Sequence, residues 1–297
     1  MKESLNMKRR IFAAAAAIFA AAAFASAGGE EFKPQKLTVG EFFENPVGMS
    51  LENLRFSWRM PAGSQGIRQT AYQLVVARTP DGLDKNPLWD SGKVASPDSV
   101  WVKADIPAPK SRERFYWKVR VWDEAGRASE WSEPAFFEAG LLDNSDWSAK
   151  WVSNAAPQES ETVKMKDGKE KSIPKAFPPT YLRKEIELDD DVESARLYVA
   201  ARGIYQFYIN GRKVGDDFWS PGWTDYNKRI QATAYDVSKM LYEGGNALAA
   251  IVADGWYAGS LAWGNNRAVY GKKPELAAQL EVVYKDGRRA TFSTDGS

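Results

Sequence analysis

Apolar and polar positions alternate with period two along most of the chain, in runs too short for long helices. In Arg114–Trp122, Phe115, Trp117, Val119 and Val121 share one face, while Tyr116, Lys118, Arg120 and Trp122 share the other. That pattern predicts a strand with a core face and a partly solvated face. Leu54–Arg59, Ala71–Ala77, Ser99–Val102 and Ala135–Glu138 are also rich in aromatic and β-branched residues, and the gaps hold turn formers such as Pro80-Asp81-Gly82 and Glu124-Ala125-Gly126. This spacing predicts an all-β sandwich up to about Leu142. Trp122 and Trp131 are expected on its outer face, packed against the stems of Lys118 and Arg120. No catalytic constellation is visible there, so the first domain reads as a scaffold.

Residues 154–179 lose the alternation and carry many charges, including Glu159, Glu161, Lys164, Lys166, Asp167, Lys169, Glu170 and Lys171. A solvated linker over 143–179 is the expectation. Strands resume at Tyr181–Leu188 and Ser194–Ala201. Tyr205, Phe207 and Ile209 then alternate with Gln206, Tyr208 and Asn210, and Asn210-Gly211 is the dipeptide favoured in a two-residue hairpin turn. Ile230–Tyr235, Asn246–Val252 and the hairpin Gln279–Tyr284/Arg289–Ser293 complete about seven strands, with one helical turn near 236–241. Residues 180–297 thus predict a jelly-roll sandwich, incomplete at its C-terminal end.

Residues 1–27 stand apart. Lys8-Arg9-Arg10, an Ala/Ile/Phe run through Phe24 and Ala25-Ser26-Ala27 have the order of a secretory signal peptide, and the apolar run is too short for a membrane span. A secreted or periplasmic protein with its first domain over 28–142 is expected. Without residues 1–27 the chain has 36 basic and 38 acidic residues, a net charge of −2 with no basic block. This argues against nucleic acid or an anionic membrane as partner. The chain contains no His and no Cys, which excludes Ser-His-Asp and Cys-His chemistry and argues against zinc or haem. Only oxygen donors remain for a metal, and those suit calcium.

The chemistry that is left gathers in two loops. Asp216, Asp217, Phe218 and Trp219 precede a Ser-Pro-Gly turn and Trp223-Thr224-Asp225-Tyr226. Further on come Asp254-Gly255-Trp256-Tyr257 and Ala262-Trp263-Gly264-Asn265-Asn266. Aromatics beside acids and amides on irregular backbone suit sugars.

Several stretches resemble the N-terminal part of bacterial α-L-rhamnosidases. Asn45-Pro46-Val47-Gly48, Arg68-Gln69-Thr70-Ala71-Tyr72, Leu88-Trp89-Asp90-Ser91-Gly92-Lys93 and Tyr116–Asp123 are similar to their fibronectin-type first domain. Tyr208–Asp216, Pro221–Tyr226 and Asp254–Tyr257 are similar to the jelly roll that follows it. The resemblance implies a glycoside hydrolase that removes terminal α-L-rhamnose by inversion, with its acid and base on a large helical barrel. No helical sequence of that kind is present, so no catalytic residue is expected in this chain, and the chain alone is expected to be inactive. The resemblance further implies rhamnose-containing glycans as partners and a calcium ion in the jelly roll. Metal contacts would fall on Asp216, Asp217, Asn265 and Asn266. Sugar contacts would fall on Asp216, Asp217, Trp223, Trp256 and Tyr257. The alternative is a freestanding carbohydrate-binding or cell-surface protein.

Overall fold

The computed structural model describes residues 32–50, 54–60, 66–263 and 266–296; the expected signal peptide and Asn265 lie outside them. The chain divides into two compact units. One takes residues up to 45, 52–107 and 114–137, and the other takes 46–51, 108–113 and 138–297.

The first unit is built from β1 (Gln35–Val39), β2 (Phe56–Arg59), β3 (Ala71–Ala77), β4 (Trp89–Asp90), β5 (Arg114–Trp122) and β6 (Ala135–Glu138), with one helical turn, α1 (Gly82–Lys85). β1 pairs with β2, and the other four form a sheet in the order β4-β3-β5-β6. Phe115, Trp117, Val119 and Val121 are fully buried beside Phe56, Leu74 and Phe137, the core face that the alternation predicts. Ser99–Val102, expected as a strand, makes an isolated bridge from Val102 to Phe56 and one further backbone bond, Trp58 N to Ser99 O at 2.9 Å. Trp101 sits in the left-handed region at φ 57°, which interrupts an extended ladder.

The opposite face of β5 is drier than its alternation suggests: Lys118 and Trp122 are 6% and 9% exposed. The cause is a ladder of cations and rings. Lys118 and Arg120 each lie 4.7 Å from the Trp131 ring, and Arg120 and Lys93 lie 5.0 and 4.7 Å from Trp122. The Lys118 ammonium also pairs with Asp84 of α1. Each aromatic covers a neighbour's aliphatic stem, so the row excludes water while its charges remain partnered.

In the second unit, β7 (Ser160–Lys164) and β8 (Glu170–Pro174) pair with each other, inside the segment expected as a linker. Val152, also in that segment, pairs with Leu276. The charged stretch hid this hairpin because Ile173 is the one residue of either strand that is buried. Its usable signal was Asp167-Gly168, with Gly168 at φ 81°. The remaining strands are β9 (Thr180–Leu188), β10 (Val192–Arg202), β11 (Ile204–Ile209), β12 (Arg212–Lys213), β13 (Ala232–Asp236), β14 (Gly244–Ala253), β15 (Glu275–Tyr284) and β16 (Arg289–Ser293), with α2 at Gly255–Ala258. They form two four-stranded sheets, β13-β10-β15-β16 and β12-β11-β14-β9.

The inward rows of these sheets, including Leu197, Val199, Phe207, Ile209, Leu248, Ala250, Leu276 and Leu280, make one continuous core. At the Asn210-Gly211 turn the asparagine does more than tolerate φ 51°. Its Nδ2 donates to Asn246 Oδ1 at 2.8 Å and its Oδ1 accepts from Ala247 N at 2.9 Å, tying the turn to β14. The chain is therefore nearly all β, an immunoglobulin-like sandwich followed by a jelly-roll sandwich.

Candidate functional site

The start of β11 gathers the two aromatic loops at one end of the second unit. Ile204 and Tyr205 pair with Ala253 and Val252 of β14, so the loop after β14 leaves beside them. Tyr205 N also donates to Ser220 O at 2.8 Å, which brings in the loop that follows β12. The approach is close enough to require glycine. A Cβ on Gly255, at φ 50°, would stand 2.7 Å from Ile204 Cγ2, and one on Gly203, at φ 135°, would stand 2.3 Å from the Ala253 carbonyl oxygen.

Three tryptophans meet as a result. Trp256 of α2 lies parallel to Trp223, with ring centroids 6.4 Å apart and planes at 2°, and its centroid is 6.1 Å from that of Trp219 at 54°. Trp219 and Trp223 are 65% and 56% exposed, and Trp256 is half-buried. Flat apolar faces left open to water among polar neighbours suit the C–H face of a sugar ring. Trp223 and Trp256 are candidates on sequence, whereas Trp219 is not. Its signal was its place four residues before Trp223 in the same loop, and the structure holds it in the left-handed region at φ 63°.

Tyr257 does not join them. Successive residues of a helical turn point about 100° apart, and Tyr257 instead packs edge-on against Tyr226 at 5.3 Å, with Tyr270 against the same Tyr226 at 5.2 Å. The Tyr226 hydroxyl donates to Gly222 O at 3.2 Å. Tyr257 thus supports the loop that carries Trp223.

Asp254, just ahead of α2, closes the later loop. Its Oδ2 accepts from Phe177 N at 3.1 Å and pairs with Arg267. Burial pushes its carboxyl above the usual range, opposed by the Phe177 N–H and the Arg267 charge. Asp254 Oδ1 and Arg267 Nε are buried without a hydrogen-bond partner among the described residues.

Asp216 and Asp217 are exposed. Lys213 Nζ donates to the Asp217 carbonyl oxygen at 2.8 Å and lies 4.5 Å from the Phe218 ring, so a cation already stands at the base of this loop. Asn266 is exposed and bonds within its own loop, its side-chain Nδ2 donating to Trp263 O at 2.9 Å and its backbone carbonyl oxygen accepting from Leu261 N at 2.8 Å. Among the described residues no three Asp, Glu, His or Cys side chains converge as a metal-holding group. Asp216 and Asp217 carry hard carboxylate oxygens and Asn266 an amide oxygen, donor types that calcium takes.

Comparison with known proteins accords with this architecture. Residues 34–143 match the family described as Rha78A-like, N-terminal immunoglobulin domain, and residues 190–297 match the family described as Alpha-L-rhamnosidase N-terminal domain. An α-L-rhamnosidase of Formosa agariphila is 42% identical over 260 residues, which cover 87% of this chain and 27% of that protein. One from Alteromonas sp. is 38% identical, covering 96% and 30%. Among solved structures, the α-L-rhamnosidase from Dictyoglumus thermophilum is 32% identical with a TM-score of 0.75, covering 90% of this chain and 29% of that one. The Streptomyces avermitilis α-L-rhamnosidase complexed with L-rhamnose is 29% identical with a TM-score of 0.74, covering 87% and 40%. The chain therefore spans about 30% of the length of the first two curated relatives.

Proposed function

We propose, from the premise that the chain belongs to the α-L-rhamnosidases as an N-terminal, non-catalytic part of them, that its second unit binds terminal L-rhamnose on glycans. Hydrolysis belongs to the remainder of the longer protein. The observation that carries this reading is the convergence of Trp219, Trp223 and Trp256 from two loops onto one exposed end of the jelly roll. A 6-deoxysugar has an apolar edge ending in a methyl group, and parallel indole faces bury that edge while the hydroxyls stay accessible. The S. avermitilis relative complexed with L-rhamnose supports the same ligand.

Calcium belongs to this proposal. Asp216 and Asp217 would hold it, with Asn265 and Asn266 as neutral donors, and when bound it would supply a hard cation for sugar hydroxyls. Two adjacent carboxylates repel each other, a cost that a divalent ion removes. The signal-peptide pattern of residues 1–27 supports secretion or a periplasmic location, where such glycans are met; among the described residues no helix is long and apolar enough to cross a membrane.

Calorimetric titration of the chain with L-rhamnose tests the reading. A small sugar held by a few hydrogen bonds and ring faces is expected to bind with a Kd of about 0.1–1 mM. A flat titration at tenfold higher sugar would remove it.

A further inference from the structure

Two residues ahead of Trp256, Asp254 forms an ion pair with Arg267, the two side chains 14% and 15% exposed. The pair joins three stretches of the second unit. Asp254 stands between β14 and α2, Arg267 closes the loop that follows α2 by bridging to Ser260, and Asp254 Oδ2 also accepts from Phe177 N ahead of β9.

The turn that carries Trp256 needs such an anchor. α2 has four residues, and a single helical turn is not stable by its own hydrogen bonds. Asp254 occupies its N-cap position, yet the carboxylate makes no capping bond to the first-turn N–H groups, where an aspartate would ordinarily contribute. It turns to Arg267 and Phe177 instead. Gly255 beside it, at φ 50°, adds little steric guidance of its own. The direction in which α2 leaves β14, and the Trp256 ring with it, therefore depends on contacts outside the turn. Tyr257 and the buried Ala258 supply the apolar ones, and Asp254 supplies the polar one.

As a device for stability the pair is poor. Taking two charges out of water costs more than their attraction returns unless the remaining donors and acceptors are also satisfied, and here Asp254 Oδ1 and Arg267 Nε have no partner among the described residues. Apolar side chains of similar volume would join the loops at no greater cost. What they lack is direction: a carboxylate shared by a guanidinium and a backbone N–H fixes the relative placement of all three stretches. We infer that Asp254 and Arg267 are positioning residues of the sugar site, setting the Trp256 ring parallel to Trp223. The inference rests on the rhamnose reading for what the rings bind, whereas the placement of Trp256 is measurable without sugar.

The test labels the chain with fluorotryptophan and follows the fluorine resonance of Trp256, assigned with Trp256→Phe, alongside the calorimetric affinity for L-rhamnose. Asp254→Asn keeps an acceptor for Phe177 N and removes the charge facing Arg267. It is expected to move the Trp256 resonance by more than its linewidth, to leave those of Trp58 and Trp117 in the first unit's core in place, and to weaken rhamnose binding about fivefold. Arg267→Met should do the same, and Arg267→Lys, which keeps a charge for Asp254, should do so to a smaller extent. If Asp254→Asn fails to fold, the two Arg267 variants decide. A Trp256 resonance unmoved in the folded variants overturns the inference whatever their melting temperatures, because the pair is then structural only. A moved resonance with unchanged rhamnose affinity overturns it as well. If the parent chain itself binds no rhamnose, the proposed function falls, and the resonance alone decides whether the pair positions the ring.

Discussion

Arg112 and Glu281, 169 residues apart in the chain, form a two-point ion pair, with Nε to Oε2 at 2.7 Å and Nη2 to Oε1 at 2.6 Å. Arg112 Nη1 also donates to Asp146 Oδ1 at 2.8 Å, and Gln279 Nε2 donates to Glu281 Oε1 at 2.8 Å. Residues 108–113 are part of the second unit although they precede β5 of the first. A jelly roll cut out at residue 143 or 180 would lack this arginine and leave Glu281, whose side chain is 16% exposed, without its guanidinium partner. Arg112→Ala should accordingly cost about 2–4 kcal/mol, toward the lower end for a broken buried pair because the arginine keeps some solvent contact. Urea unfolding of the variant measures it, and a loss below about 0.5 kcal/mol, the size of a surface pair, would show the contact to be incidental.

The same network sets a pH dependence. The Ser111 hydroxyl, and after it the Arg112 guanidinium, hold the Asp146 carboxyl below the usual carboxylate range. A depressed pKa in the folded state contributes stability that is present above the unfolded value, near 3.9, and is lost as pH falls through the folded one. The melting temperature of the chain should fall as pH drops from about 5 through 4 and below, and Ser111→Ala should flatten that slope. Equal slopes for the two proteins would remove Asp146 from the account.

In the first unit, Arg120 lies between Trp122 and Trp131 and also donates to Gln73 at 2.9 Å. Arg120→Ala should cost about 1–2 kcal/mol through two lost cation–ring contacts and the stem that covers them. Arg120→Lys should recover part of that loss, and thermal melts of the three proteins decide it.

Trp256 and Tyr257 are neighbours in sequence with separate surroundings, so their substitutions should separate too. Trp256→Ala or Trp223→Ala should weaken L-rhamnose binding about tenfold, or about 1.4 kcal/mol, with little change in melting temperature. Tyr257→Ala should instead lower the melting temperature, because it removes a ring from the packing around Tyr226. If Tyr257→Ala abolished binding in a protein that still melts normally, the site would have to be redrawn around the tyrosines.

For calcium, calorimetry with L-rhamnose before and after chelation, repeated with Asp216→Ala, is the decisive set. Chelation and substitution should each reduce the affinity, since an ion bridging sugar and protein is lost with either. Rhamnose affinity unchanged by both would leave the two acids as an ordinary exposed turn.

The sequence by itself determined the fold class and most strands, because period-two alternation states directly which side chains share a face: β3, β5, β6 and β16 have the limits that alternation predicts. It also carried the family, through stretches such as Pro221–Tyr226 and Asp254–Tyr257, and it placed acids and aromatics in two loops. Tertiary structure alone decided which of those aromatics meet. The Tyr205–Ser220 and Ile204–Ala253 pairings bring Trp219, Trp223 and Trp256 together, while the turn of α2 sends Tyr257 away. It alone decided that Lys118 is buried, since burial of the outer face of β5 depends on Trp131 folding back from a later segment. Alternation is a property of neighbours in the chain, whereas pairing across loops depends on register between distant strands, and no local pattern encodes that.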